Sequence, residues 1–473
     1  MATFDEMKAL LARYGQEHLL KFYPSLSEAE RGTLLGQLEQ QDWAELAALI
    51  ERYVRQGVRS ELPDPERIEP IPYFPAQPTE GQLAHYAHAR ERGETLIRQG
   101  RVAAMTVAGG QGTRLGWDGP KGTFPATPIK RKPLFQVFAE YLRKVEAKYQ
   151  CTVPWLVMTS PVNHQATEAF FEEHGFFGLS PEQITFFEQG TMPSIGFDGK
   201  VLLADKGELA LSPDGHGGSL RALYRSGVLD ELEAQGVSAI SYFQVDNPNV
   251  KCIDPLFIGL HALEGAEMSS KMLAKARPDE KVGNFCLIDG RVSVIEYSDM
   301  PEALAQARTD DGELKFRAGS IAIHVLATSF VRRLNEAEGD LSLPWHRADK
   351  KVAHLDLESG ERIEPAEPNA VKLEAFVFDA LPLADKSVTL ETDRIEEFAP
   401  IKNASGDDSP ETSRKLQSLR AARWLEACGV RVPRKGDELD AVIELSHLTA
   451  IEPTDLREVT LPEDIEAGSE VYL

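Results

Sequence analysis

Cysteine is scarce: the 473 residues contain four, at 151, 252, 286 and 428, and no two form a CxxC pair. That spacing excludes a disulfide framework and a zinc knuckle, and predicts small buried side chains in a reducing cytoplasm. Positive charge is also in short supply. Lys and Arg number 51 against 75 Asp and Glu, a formal net charge of -24. Affinity for duplex nucleic acid rests on cations that neutralise phosphates, so no nucleic-acid partner is expected. A few well-placed cations can still serve a small phosphorylated ligand. No apolar run approaches the ~20 residues needed to span a bilayer, and the opening MATFDEMKALL lacks the basic-then-apolar order of a signal peptide. No membrane partner is expected either. Repeats and low-complexity tracts are missing as well.

What is present is ordinary globular composition, 42% hydrophobic and 27% charged. At roughly 150 residues per domain, the length predicts about three domains. Phe4, Met7, Leu10, Leu11 and Tyr14 recur at helical spacing. Ser27 and Glu30 form a capping box ahead of Leu34, Leu35 and Leu38, and Asp42 with Glu45 starts a third short helix. Between Leu62 and Gly81 stand Pro63, Pro65, Pro70, Pro72, Pro75 and Pro78, a density that forbids helix interiors and predicts an extended connection. One more helix follows, roughly Gly81 to Gln99.

From there short apolar runs alternate with helical stretches. Strands are predicted at 102–107, 154–158, 184–187 and 239–245, and helices at 133–145 and 166–174. This alternation predicts an α/β fold: a mostly parallel, Rossmann-like sheet with helices on both faces. From about Lys386 the alternation fades into short β-like segments. The expected division is a helical N-terminal region at 1–97, a nucleotide-handling domain at 98–385 and a small β-containing C-terminal domain at 386–473.

The most informative segment runs from Val107 through Ala-Gly-Gly-Gln-Gly-Thr-Arg-Leu to Gly116, with Pro120-Lys121 beyond it. A loop leaving the C-terminal end of a parallel strand lies where α/β proteins bind ligands. Gly109, Gly110 and Gly112 let the backbone approach a phosphate and turn N–H groups toward it. Arg114 and Lys121 add positive charge. The dinucleotide pattern GxGxxG fails, because the third glycine, Gly116, comes one residue late. A Walker loop fails because Lys121 has no preceding glycine.

The loop AGGQGTRLG…PKG resembles the signature of the UDP-N-acetylhexosamine (UDP-N-acetylglucosamine) pyrophosphorylases, in the type 1 family of UTP-dependent uridylyltransferases. The resemblance runs in order from about Val102 to Asn403. It includes WLVMTS (155–160), FFEEHGFFGL (170–179), PDGHGG (213–218), VDN (245–247), VIEYS (294–298), EAFVFDA (374–380) and PIKN (400–403). It implies a cytoplasmic nucleotidyltransferase that joins UTP to a sugar 1-phosphate and releases pyrophosphate. A phosphate monoester is already a nucleophile, so catalysis comes from aligning two polyanions and stabilising developing charge.

The resemblance assigns the parts residue by residue. Ala108, Gly109 and Gly110 would lie against the nucleotide. Arg114 would hold the β- and γ-phosphates and Lys121 the α-phosphate. Lys372 would contact UTP, and Lys402 would reach the phosphates. Asp246, at the end of an apolar strand, would hold Mg²⁺, or Mn²⁺ in its place, because such hard ions take oxygen ligands and share them with phosphates. Gln189 would read the uracil edge with its paired donor and acceptor. Gly215 would let the backbone lie close to base or ribose, and Glu296 and Tyr297 would border the sugar. Phe376 and Phe378 alternate like a strand and would either flank the sugar or pack in the core.

Two departures fall near the sugar. His216 stands where the hexosamine enzymes carry Asn in PDGNGG. Ser320, in Arg317-Ala-Gly-Ser320, stands where they carry Asn within NAGN, and Ile323 replaces another Asn. The expected product is UDP-N-acetylglucosamine; the alternatives are a UDP-glucose or broad UDP-sugar pyrophosphorylase, which His216 favours, and a catalytically silent UDP-sugar sensor. His85 and His88 share a helix face without a third ligand nearby, which predicts a solvated face.

Overall fold

A computed structural model describes residues 3–58, 63–336 and 343–473. Leu62, where the proline-rich connection was expected to begin, lies outside the described residues. The chain forms two compact units. One comprises the described residues of 1–62, 190–218 and 343–377; the other comprises those of 63–189, 219–342 and 378–473.

The larger unit is built on ten strands: β1 (Ile68–Pro70), β2 (Val102–Val107), β3 (Trp155–Thr159), β4 (Ile184–Glu188), β5 (Ala239–Gln244), β6 (Met268–Ala274), β7 (Asn284–Ile288), β8 (Arg291–Ile295), β9 (Ala318–Ala327) and β10 (Ser387–Glu391). They lie in the order β1-β7-β9-β5-β2-β3-β4, with β6 joined to β9 and β10, and β8 to β7. The four strands read from sequence are the parallel core: β5, β2, β3 and β4 run the same way, Ala239 opposite Val102 and Ala104 opposite Trp155. β10 is parallel to β6, whereas β9 is antiparallel to both β5 and β6. Their apolar sequences follow from burial on both faces, the usual state of parallel strands under helices. The helix Leu134–Tyr149 contributes Phe135 and Phe138 to a core that also holds Trp155, Phe171, Phe243 and Phe257. Each such aromatic contributes ~1.5–3 kcal/mol of burial. Because all four strands share one direction, the chain segments that leave them gather at one end of the sheet.

The smaller unit begins with three capped helices, Phe4–Arg13, Glu28–Glu39 and Trp43–Leu49, whose N-caps are Thr3, Ser27 and Asp42. Leu11, Leu34, Leu38, Trp43 and Leu46 pack with Ile195, Val371 and Leu373. Those last residues come from an antiparallel trio, Ala370–Glu374 between His346–Lys350 and Ile195–Gly196.

Toward the C-terminus the expected short β segments are found: Arg434–Lys435 pairs with Glu438–Leu439, and Val442–Glu444 with Glu470–Tyr472. The sequence reading passed over the longest helix of the chain's end, the 18-residue Pro410–Ala427. Its cap was legible, since Ser409 accepts from Thr412 and Pro410 occupies the first turn. Its buried face, however, includes Ser413, Ser418 and Arg420, so apolar periodicity is muted. The cysteines also depart in part from expectation. Cys252 and Cys286 are buried and Cys151 half-buried, but Cys428 caps that helix in an exposed position. Among the described residues no helix is long and apolar enough to cross a membrane.

Candidate active site

β2 ends at Val107 and the chain turns into the glycine loop. Two side chains from the segment after β3 hold that loop by its carbonyls. Asn163 Nδ2 donates to Ala108 O at 2.9 Å, and Ser160 Oγ donates to Gly109 O at 2.8 Å. Sequence reading missed both, although their position just past a parallel strand was a signal. Gly109 is required by close approach: a Cβ there would stand 2.4 Å from Gln189 Oε1. Gln189, buried at the end of β4, therefore lies directly against the loop. Beside Gly110 no atom of the described residues, its chain neighbours aside, lies within 4 Å of where a side chain would begin, so that stretch of the loop is open. Arg114 is exposed on the short turn Thr113–Leu115 and makes no ion pair among the described residues.

The loop leads directly to the predicted cation. Lys121 N–H donates to Gly110 O at 3.0 Å, and its Nζ lies 3.3 Å from Asp246 Oδ2. Both side chains are largely enclosed, at 16% and 12% exposure. The Asp246 carbonyl accepts from Ile401 N–H at 2.9 Å, which sets the PIKN segment beside it. Asn247 secures that register, donating to Glu397 O at 2.7 Å and accepting from Ala399 N–H at 2.9 Å. Lys402 follows, 5.4 Å from the centre of the Phe398 ring and 3.4 Å from Asp408 Oδ2.

Asp246, Lys402 and Ser320 line one cavity, with Ile323 and Phe398. Its wall is shaped by Ala322, which at φ 55° is left-handed in the middle of β9. Ser320 N–H donates to Gly283 O at 2.7 Å, and a Cβ on Gly283 would lie 3.6 Å from Ser320 Cβ and 3.7 Å from Glu296 Oε1. Gly283, unremarked in the sequence, is thus bordered by Val294, Ser320 and Glu296. Contacts thus link Gln189, the glycine loop, Lys121 and Asp246, Asp246 shares its cavity with Lys402 and Ser320, and Gly283 lies beside both Ser320 and Glu296. Tyr297, 46% exposed, projects from the next position. Phe378 is buried in this same unit.

The remaining predicted residues belong to the smaller unit. Gly215, at φ 86°, is held so close to Ala375 that a Cβ would lie 2.3 Å from its carbonyl oxygen. The His216 ring stacks on Phe376 with centroids 5.2 Å apart, and Phe376 stacks on His346 at 4.5 Å. Val377 N–H donates to His216 Nδ1 at 3.1 Å, so the neutral ring carries its proton on Nε2. Burial, with nearby His346 as the lesser cause, pushes the His216 pKa down to about 4. Lys372 sits in the strand Ala370–Glu374, opposite Ala348. The predicted strand through Phe376 and Phe378 does not form. The strand ends at Glu374, Ala375 pairs with the loop through Asp214 O and Gly217 N–H, and the chain then turns into a 3-10 helix at Val377–Leu383.

One carboxylate suits a shared metal. Asp246 Oδ1 makes no hydrogen bond among the described residues, and no cluster of three acidic, His or Cys side chains that could hold an ion stands there. A single protein oxygen completed by phosphate oxygens and water is how Mg²⁺ is usually held at nucleotides.

Such a site can hold and align a polyphosphate, which is the chemistry of nucleotidyl transfer. The chain belongs to the UTP–glucose-1-phosphate uridylyltransferase family, whose profile matches residues 44–425, and it is a UTP:sugar-1-phosphate uridylyltransferase. Enzymes of this family generally use a divalent metal. The chain is 38% identical over 445 residues to the human UDP-N-acetylhexosamine pyrophosphorylase-like protein 1, covering 91% of this chain and 87% of that one. It is 36% identical over 441 residues to the UDP-N-acetylglucosamine pyrophosphorylase of Saccharomyces cerevisiae, covering 90% and 92%. The crystal structure of the uridine diphosphate N-acetylglucosamine pyrophosphorylase from Trypanosoma brucei, in complex with an inhibitor, superposes with a TM-score of 0.83 at 27% identity, covering 98% of both chains.

Proposed function

We propose that the protein joins UTP and N-acetylglucosamine 1-phosphate to give UDP-N-acetylglucosamine and pyrophosphate, with Mg²⁺, in the cytoplasm. The observation that carries this reading is the enclosed Lys121–Asp246 pair with Lys402 beside it, at the mouth of a glycine loop covered by Gln189. The relatives named for N-acetylglucosamine support the sugar.

In this reading the loop N–H groups and Arg114 hold the β- and γ-phosphates, and Gln189 selects uracil. Lys121 turns from Asp246 to the α-phosphate when the nucleotide arrives. Lys402 neutralises the incoming sugar phosphate, and Lys372 and Gly215 contact the nucleotide. Asp246 Oδ1 would hold the metal, which when bound supplies charge neutralisation at the phosphates. Glu296 accepts from sugar hydroxyls. Ser320 and Tyr297 border the sugar, and Phe376 and Phe378 contribute apolar surface. His216 is neutral near pH 7 and serves as a hydrogen-bond donor through Nε2, since the reaction needs no proton shuttle.

Purified protein with UTP, Mg²⁺ and a panel of sugar 1-phosphates should release pyrophosphate fastest with N-acetylglucosamine 1-phosphate. Absence of pyrophosphate with every sugar would refute the reading. His216 and Ser320, at positions where the hexosamine enzymes carry Asn, favour a second reading, UDP-glucose or broad UDP-sugar synthesis. A higher kcat/KM for glucose 1-phosphate would establish it. The division at 97/98 and 385/386 remains part of the proposal. The separate apolar cluster of Trp424, Leu425, Ile443 and Leu456 supports a small C-terminal domain, and limited proteolysis tests the boundaries.

A further inference from the structure

The helix Pro410–Ala427 touches the segments that carry all three charged groups of the phosphate site, and it does so through their backbone. Ser413 Oγ donates to Ala399 O at 2.6 Å, three residues before Lys402. Arg414 Nη2 donates to Pro125 O at 2.7 Å, and Gln417 Nε2 to Ala126 O at 3.2 Å, just past the Lys121–Thr123 turn. Arg420 Nη1 donates to Asn249 O at 3.0 Å and lies 3.4 Å from Glu396 O, so it ties the turn after Asp246 to the segment that leads to Lys402. Ser413, Gln417 and Arg420 are spaced by four and three, which puts them on one helical face.

Three features distinguish this face from ordinary packing. Ser413, Arg414, Gln417 and Arg420 each reach a main-chain carbonyl of these segments, so these contacts define where a loop runs and not which side chains it carries. Of these donors Ser413 and Arg420 are buried and Arg414 and Gln417 half-buried, at positions where apolar residues would have served docking alone. Gln417 Nε2 also lies 3.3 Å from Ser413 Oγ, which joins the two contact regions to each other.

We propose that this helix is the spacer that sets the separation of Lys121, Asp246 and Lys402, and that Arg414, Gln417 and Arg420 are positioning residues for uridylyl transfer. Alignment is the main catalytic resource in a phosphoryl-type displacement, and misplacement by about 1 Å from a remote change can cost ~10²-fold. A rigid helix anchored to all three segments meets that demand, and it gives the C-terminal region a part in the reaction. The proposal rests on the uridylyl-transfer reading given above.

The test replaces the donors with unbranched apolar side chains. Arg414→Met with Gln417→Met should lower kcat at least tenfold, leave the KM for UTP within about threefold, and leave the protein folded by circular dichroism. Arg414→Lys retains a donor for Pro125 O and should keep kcat within threefold of the parent. Hydrogen exchange without substrate should show faster exchange at 121–126 in the double variant. If the double variant does not fold, the single Gln417→Met variant carries the same expectations at smaller amplitude. Unchanged kcat in a folded variant overturns the proposal. So does an Arg414→Lys enzyme as impaired as Arg414→Met, because the donor would then be irrelevant. A parent that forms no UDP-sugar defeats the functional reading instead; the exchange rates at 121–126 then decide alone whether the helix holds that loop.

Discussion

Lys121 and Asp246, 125 residues apart in the chain, meet at 3.3 Å between Nζ and Oδ2. Each is the other's counter-ion in an enclosed setting, so neither is charged to excess before a nucleotide arrives. In the proposed reading, a phosphate that draws Lys121 away would leave the carboxylate free for a divalent ion, and the pair would couple binding of the nucleotide tail to readiness for metal.

Lys121→Ala is expected to lower kcat by ~10²–10³, the usual cost of losing one preorganised charge-stabilising donor. Its stability cost should stay within about 1–3 kcal/mol, that of leaving one charged partner unsatisfied. Steady-state kinetics and a melting curve check both. A variant that melts early but turns over at full rate would make the lysine purely structural.

Asp246→Asn keeps the shape and removes the anionic oxygen. Its activity should no longer respond to Mg²⁺ over the range that activates the parent. A titration of rate against Mg²⁺ that superposes on the parent's would reassign the metal ligand.

Gly109→Ala pushes a methyl group against Gln189 Oε1, which the geometry leaves only 2.4 Å away. The amide must swing aside. The KM for UTP should rise about tenfold, ~1.4 kcal/mol of binding, and the preference for UTP over other nucleoside triphosphates should narrow. Competition assays with CTP read this directly.

Several histidines depressed by burial bear on acid stability, His447 and His261 among them. His447 donates through Nδ1 to Val137 O and accepts at Nε2 from Arg420, so its ring is neutral. Burial, then the Arg420 charge, pushes its pKa down to about 3, and burial pushes that of His261 down to about 4. Above about pH 6.5 both folded and unfolded rings are neutral and stability is fully present. As pH falls below that value, the unfolded chain takes up protons that the folded chain refuses, so stability declines toward pH 4. His447→Gln should flatten the fall of Tm between pH 7 and 5; parallel curves would show that other groups govern it.

Much of this architecture was legible before any coordinates. The parallel core strands were readable because burial on both faces demands unbroken apolar runs, and the caps at Ser27 and Asp42 because the first turn of a helix needs acceptors. The glycine loop was readable as a place of close backbone approach, which the structure shows at Gly109 against Gln189. The Pro410–Ala427 helix escaped notice because the first half of its inner face is polar, and the expected strand through Phe376 failed because Ala375 spends its backbone groups on the glycine turn at 214–217.

Sequence alone determined the order of elements and the chemical types available, since both follow from local periodicity and side-chain identity. Only the tertiary structure decided which groups meet: that Lys121 faces Asp246, that Asn247 holds the segment before Lys402, and that Gly283 is bordered by Ser320 and Glu296. Those pairings span tens to hundreds of residues, and they depend on strand order and register, which no local pattern encodes.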